Sequence, residues 1–120
     1  MAATRIGTVA ELDDRGRLAA TVDGVRLTAF RAGDAFVAYE NLCPHLGGPV
    51  CDGKLARRIE VEIAANGEAI EHFSQTRVDL VCPWHGFEFD LASGVAIADP
   101  RYALRSFPIE CRGDELYVSV

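Results

Sequence analysis

Short alternating segments separated by turn dipeptides constrain this chain more than any other feature. Arg58-Ile59-Glu60-Val61-Glu62-Ile63 alternates charged and β-branched residues with a period of two, the side-chain period of a strand. The same alternation runs through Phe87-Glu88-Phe89-Asp90-Leu91 and Leu116-Tyr117-Val118-Ser119-Val120. Weaker patterns predict strands over residues 6–9, 18–22, 25–30, 35–39, 78–81 and 104–109. Turn signals fall between them at Asp23-Gly24, Gly33-Asp34, Asn66-Gly67, Ser93-Gly94 and Gly113-Asp114. Short strands at this spacing suit an antiparallel sandwich or barrel. A helix over residues 56–65 is the competing reading, and the alternation and β-branched content outweigh it. With 120 residues and no linker or repeat, one domain is expected. The N- and C-terminal thirds both supply strands, so the middle reads as an insertion into one folding unit.

Composition narrows the function classes. Apolar residues make up 49% of the chain, enough for a core without disulfide staples and too much for disorder. No run approaches the roughly 20 apolar residues of a membrane span. Glu11, Asp13 and Asp14 stand where the apolar stretch of a secretory signal would sit, so a cytoplasmic location is expected. A net charge of −6 argues against nucleic acid and suits docking to a basic patch on a protein partner.

Two segments differ in kind from the rest. Residues 41–53 read NLCPHLGGPVCDG, and residues 81–87 read VCPWHGF. Cys43 and His45 are spaced C-x-H; Cys82 and His85 are spaced C-x-x-H. Pro44 and Pro83 restrict each turn, while Gly47, Gly48 and Gly86 allow close backbone approach. Two thiolates and two imidazoles suit either of two centres. Zinc takes such a set tetrahedrally. A 2Fe–2S centre can take two Cys on one iron and two His on the other. Ligand identity alone does not separate them, although the second needs one Cys and one His from each of two pinching loops.

CPHLGGP followed by CPWHGFEFDLASG resembles the Rieske ferredoxin family. DAFVAYENLCPH is similar to the strand that feeds the family's first loop, and FEFDLASGVAIADPRYALRSFPIECRGDELYVSV to its closing strands. Only residues 54–79 fall outside the resemblance. It implies an all-β fold: a Rieske-like antiparallel β-sandwich with a small cluster-binding subdomain at about residues 41–96. It also implies one 2Fe–2S cluster per chain, with Cys43 and Cys82 on one iron and His45 and His85 on the other. Pro100 matches the Pro-bearing third loop that covers the cluster. Respiratory-type members carry an extra Cys in each loop, joined in a bridge. The matching positions here are Gly48 and Trp84, so that bridge cannot form. Cys51 and Cys111 are then expected as small buried hydrophobes. His72 is expected at the surface or partly packed, and Trp84 as a shield over the cluster or a partner contact.

The implied chemistry follows from charge. With two thiolates and two neutral imidazoles the oxidised centre is formally neutral, so reduction is easier than at a four-Cys centre. High-potential members resemble C-P-C-H-G-S-x-Y, with Ser and Tyr hydroxyls donating to sulfur. Phe87 and Phe89 occupy those positions here and donate nothing. A potential on the order of −150 mV is expected, falling with pH once an imidazole deprotonates. Two of the three histidines are committed, so His72 alone cannot build the mononuclear iron site of an oxygenase. No G-x-G-x-x-G fingerprint opens a helix. A one-electron carrier, not an enzyme, is expected. The resemblance implies transient contact with a flavin-dependent reductase and a terminal oxygenase, with Leu46, Trp84 and the loop tips as docking face. Alternatives are the small subunit of a larger reductase such as nitrite reductase, or a zinc-stabilised binding module. Finally, 36 residues separate His45 from Cys82, more than the resemblance leads one to expect. Asn66-Gly67 predicts a type I′ turn, and with it an extra β-hairpin over about residues 54–79. The hairpin is either decoration or a partner-selecting surface or oligomer edge.

Overall fold

The computed structural model describes residues 3–84 and 86–120. Among them, three antiparallel sheets of three strands carry nearly all regular structure. The first joins the two ends of the chain, with β1 (Thr4–Thr8), β9 (Glu115–Val118) and β8 (Ile109–Arg112) in that order. The second is the meander β2 (Leu18–Val22), β3 (Val25–Ala32) and β4 (Ala35–Glu40). Their apolar faces meet in two adjoining clusters: Leu12, Leu18, Ala29 and Leu116, and Val22, Leu27, Ala38, Phe107 and Val118. The third sheet holds β5 (Lys54–Ile63), β6 (Ala69–Val81) and β7 (Glu88–Asp90). Leu80 of β6 and Phe89 of β7 pack with Phe30 and Tyr39 of the meander, and the same cluster includes Cys43, Cys51 and Cys82. The all-β antiparallel architecture expected from the alternation is present.

Four local expectations are corrected. The segment begun at residue 6 ends at Thr8, and a helix, α1 (Val9–Arg15), follows. Thr8 and Glu11 form a reciprocal capping box, and Gly16 closes the helix with φ 81 and its N–H on the Leu12 carbonyl. This start signal beat the short apolar run that suggested a strand. Residues 104–109 do not form a strand: they contribute an isolated bridge from Ser106 to Tyr39, and pairing resumes only at Ile109. Pro108 lacks the N–H a ladder needs. The Asn66-Gly67 turn is not type I′, which requires positive φ at both central residues. Asp23 is the sole non-glycine with positive φ among the described residues. Instead Gly67 (φ 85) donates to the Ala64 carbonyl at 2.9 Å and Ala64 donates to the Glu68 carbonyl at 2.8 Å, giving a longer loop. Lastly, Cys111 is exposed on β8, not buried, with its thiol 3.3 Å from the Gly113 carbonyl.

The β5–β6 hairpin has a break in its middle. Arg57 faces Val78 but Ile59 faces Phe73, so residues 74–77 of β6 lie opposite Arg58 alone. Buried Ser74 folds the surplus, its hydroxyl accepting from the Thr76 and Arg77 N–H groups. Arg58 turns inward at the break. Its Nη2 donates to Asp79 Oδ1 and Asp90 Oδ1, both at 2.7 Å, and its Nε to Asp79. One guanidinium thus ties β5, β6 and the end of β7. Beyond it the two strands continue as a free ribbon, and the molecule reaches 56 Å along its longest axis.

Candidate metal centre

Each Cys-bearing loop closes on itself by the same hydrogen bond. Cys43 N–H donates to the Gly48 carbonyl, and Cys82 N–H to the Phe87 carbonyl, both at 2.8 Å and both five residues on. In each loop the residue four after the Cys is a glycine in the left-handed region, Gly47 (φ 78) and Gly86 (φ 67). That conformation strains any residue with a Cβ. The two loops are therefore conformational twins. The first follows β4 and the second joins β6 to β7, and the core packs their cysteines side by side.

The thiols of Cys43 and Cys82 are buried and close enough to interact. Burial, together with the neighbouring Cys43 thiol, pushes the Cys82 thiol up, while the Trp84 N–H donates to its sulfur and pulls it down. Two thiols held together out of water suit a soft metal, which takes them as thiolates. His45 Nδ1 is buried without a hydrogen-bond partner among the described residues. A buried imidazole nitrogen is normally satisfied, so an unpartnered one beside two buried thiols is placed as a metal ligand would be. The His45 ring lies flat on Phe87, with centroids 4.4 Å apart and planes at 9°. Tyr102 stands edge-on to both rings. His85, the fourth ligand expected from sequence, lies outside the described residues. Among the described residues no three His, Cys, Asp or Glu side chains form a single metal-ion group. The donor set fits a 2Fe–2S centre.

Several supporting residues gave no signal in the sequence. Arg17 Nη1 donates to the carbonyls of Cys51 and Gly53, at 2.6 and 2.7 Å, and fastens the 3-10 turn Val50–Asp52 behind the first loop. Asn41 Oδ1 accepts from the Cys51 N–H at 2.9 Å. A Cβ on Gly53 would stand 1.8 Å from the Val81 carbonyl oxygen, so the two loop bases touch there and only glycine fits. Tyr102 carries no motif of its own. Pro100 is exposed, and Tyr102, two residues on, reaches the histidine.

Trp84 has a specific contact. A Cβ on Gly48 would lie 2.8 Å from its Cγ and Cδ2. The two positions that match the bridge of respiratory-type proteins are thus in contact, with an indole laid on a glycine where those proteins have a disulfide. Trp84 stays half exposed, so it both packs the loops together and faces outward. Cys51 is buried as expected, and burial pushes its thiol up to about 12, leaving it inert. His72 is exposed on the ribbon, with Nδ1 3.9 Å from Glu62.

An all-β domain whose twin loops hold two buried thiols beside an unpartnered imidazole belongs to the metal-carrying proteins. The profile of the Rieske 2Fe-2S domain matches residues 2–108, and the chain belongs to that family. Its cofactor is the Rieske-type 2Fe–2S cluster of that family. It is 28% identical over 99 residues to the ferredoxin CarAc of Metapseudomonas resinovorans, covering 82% of this chain and 74% of that protein. Its fold is similar to the ferredoxin of carbazole 1,9a-dioxygenase from Nocardioides aromaticivorans IC177. The TM-score is 0.68 at 24% identity, over 99% of this chain and 98% of that one. A ferredoxin seen in complex with the reduced oxygenase of carbazole 1,9a-dioxygenase gives the same TM-score of 0.68, at 20% identity over 98% and 92% of the chains. No helix among the described residues is long and apolar enough to cross a membrane.

Proposed function

We propose that Cys43 and Cys82 hold one iron of the cluster and His45 and His85 the other, and that the chain shuttles single electrons to a terminal oxygenase. The observation that carries this reading is the pair of twin loops, which bring two buried thiols together beside the unpartnered Nδ1 of His45. The cluster supplies the one-electron redox chemistry. The chain fixes its ligands in rigid loops, excludes water from the thiols, and donates a Trp84 N–H to one sulfur. Phe87 and Tyr102 set the plane of the His45 ring.

In this reading electrons come from a flavin-dependent reductase in the cytoplasm and leave to the oxygenase; the names of the similar ferredoxins support the oxygenase as acceptor. Leu42, Leu46, Trp84 and Ile97 are each between two-fifths and just over half exposed, and Leu42, Leu46 and Trp84 lie in or beside the loops. A small apolar rim of this kind suits a brief contact, and the acidic surplus steers basic partners at low salt. Anaerobic purification followed by EPR of the reduced protein tests the ligand set. A rhombic spectrum with low average g, with acid-labile sulfide equimolar to iron, is expected. Cys82→Ser is expected to abolish it. A colourless, redox-silent zinc protein would overturn the reading. Leu46→Asp is expected to slow reduction of the oxygenase while leaving the spectrum unchanged; an unchanged rate would remove this rim as the docking face.

A further inference from the structure

The ribbon beyond Arg58 is amphipathic and, on one face, uncovered. The register pairs Ile59 with Phe73, Val61 with Glu71 and Ile63 with Ala69, so these six residues share a face. Ile59, Val61, Ile63 and Phe73 are 58%, 58%, 70% and 60% exposed. The opposite face carries Glu60, Glu62 and His72, with Ile70. A two-stranded ribbon standing alone in water is marginally stable, and one with an apolar face needs something against it. We propose that this face is covered by the same face of a second copy of the chain, giving a reversible homodimer.

Position argues against the electron-transfer partners as the occupant. β5 starts at Lys54, directly after the first loop, and Ile59–Ile63 lie five to nine residues further on. At about 3.3 Å per residue that is roughly 17–30 Å of strand away from the loops. A partner seated briefly on Leu46 and Trp84 leaves the ribbon bare. Charge argues the same way. The acidic surplus that would draw a basic partner is nearly absent from this face, where Glu71 is the single carboxylate. Glu71 sits on the strand edge that β7 does not cover at that point, so its carboxylate can turn to water.

Area and shape fit a second copy. Four large side chains, each more than half exposed, together with Ala69, offer on the order of 500 Å² of apolar surface. Two copies bury at most about 1,000 Å², the lower bound for a specific interface and the size of a weak, reversible one. The strip tapers from Phe73 at its base to Ala69 near its tip. An antiparallel face-to-face arrangement sets Phe73 over Ala69 of the second copy, large against small. Both cluster ends then point outward and remain free. Because each chain carries −6, salt that screens the repulsion strengthens the association, the opposite of its effect on docking to a basic partner.

Sedimentation velocity of the intact cluster-bearing protein tests this. The mass is expected to rise with concentration from that of one 13.0 kDa chain to twice that, and the midpoint to move to lower concentration as salt is added. Val61→Thr with Ile63→Thr keeps the β-branching of the strand, and is expected to weaken association by about tenfold or more. The visible spectrum of the cluster reports that the variant is folded. Ala69→Arg, a single change at the exposed tip, is expected to do the same. A monomer at every concentration overturns the proposal, and so does a dimer that both variants leave intact.

Discussion

Arg58→Met removes the cation that holds Asp79 and Asp90 together at the foot of the ribbon. Arg58, Asp79 and Asp90 side chains are 20%, 5% and 22% exposed. Removing one partner of a fully buried ion pair costs about 3–5 kcal/mol, because the other charge is left uncompensated. Partial exposure of Asp90 lowers this to about 2–4 kcal/mol here. Unfolding entropy near 2.1 cal/mol/K per residue gives roughly 0.25 kcal/mol/K for a chain of this length, so the melting temperature falls by about 8–16 °C. Far-ultraviolet circular dichroism reads the fold, and visible absorbance reads the cluster. Both are expected to be lost together, since Asp79 lies on β6, which leads directly into Cys82 three residues on. Arg58→Lys keeps the charge but not the fork that reaches two carboxylates, and an intermediate loss is expected. Burial works to raise the Asp90 pKa, but the Ser93 hydrogen bonds and Arg58 outweigh it and hold it below the usual range. A carboxyl lowered in the fold contributes stability above its unfolded pKa of about 3.9, lost as pH falls through the folded value. Without Arg58 that loss begins at higher pH. A melting shift under about 2 °C in Arg58→Met would refute the reasoning and make the ribbon mere decoration.

Gly48→Ala drives a methyl into the Trp84 indole at 2.8 Å. The half-exposed ring is expected to swing out at a cost of about 1–2 kcal/mol, read as a lower melting temperature and faster bleaching of the cluster. Trp84→Leu in the same chain is expected to restore part of the loss, and equal, additive losses would count against the contact. The midpoint potential is expected near the low end of the family range, on the order of −150 mV, since Phe87 and Phe89 donate no hydrogen bond to sulfur. Film voltammetry is expected to show it falling with pH in the alkaline range; a value well above zero, or a flat profile to strongly alkaline pH, would sink this account.

What was legible in the sequence was whatever a local rule encodes. Period-two alternation placed β5, β7 and β9, and paired C-x-H and C-x-x-H spacings singled out the loops where the buried thiols meet. What was not legible is contact between distant residues. Nothing near Arg17 says that it will fasten Cys51 and Gly53, more than thirty residues on. Nothing near Tyr102 says that it will stand against His45. The alternation over residues 58–63 shows the limit of pattern most clearly. It gives the strand and its two faces correctly, and a pattern of this kind ordinarily means that one face is buried. The structure leaves that face in water, on the part of the ribbon beyond the break at Arg58. Periodicity reports that a face is apolar, not what covers it. At this ribbon the unanswered half of the signal is where the chain departs from the family pattern, and it marks the surface on which a partner is to be sought.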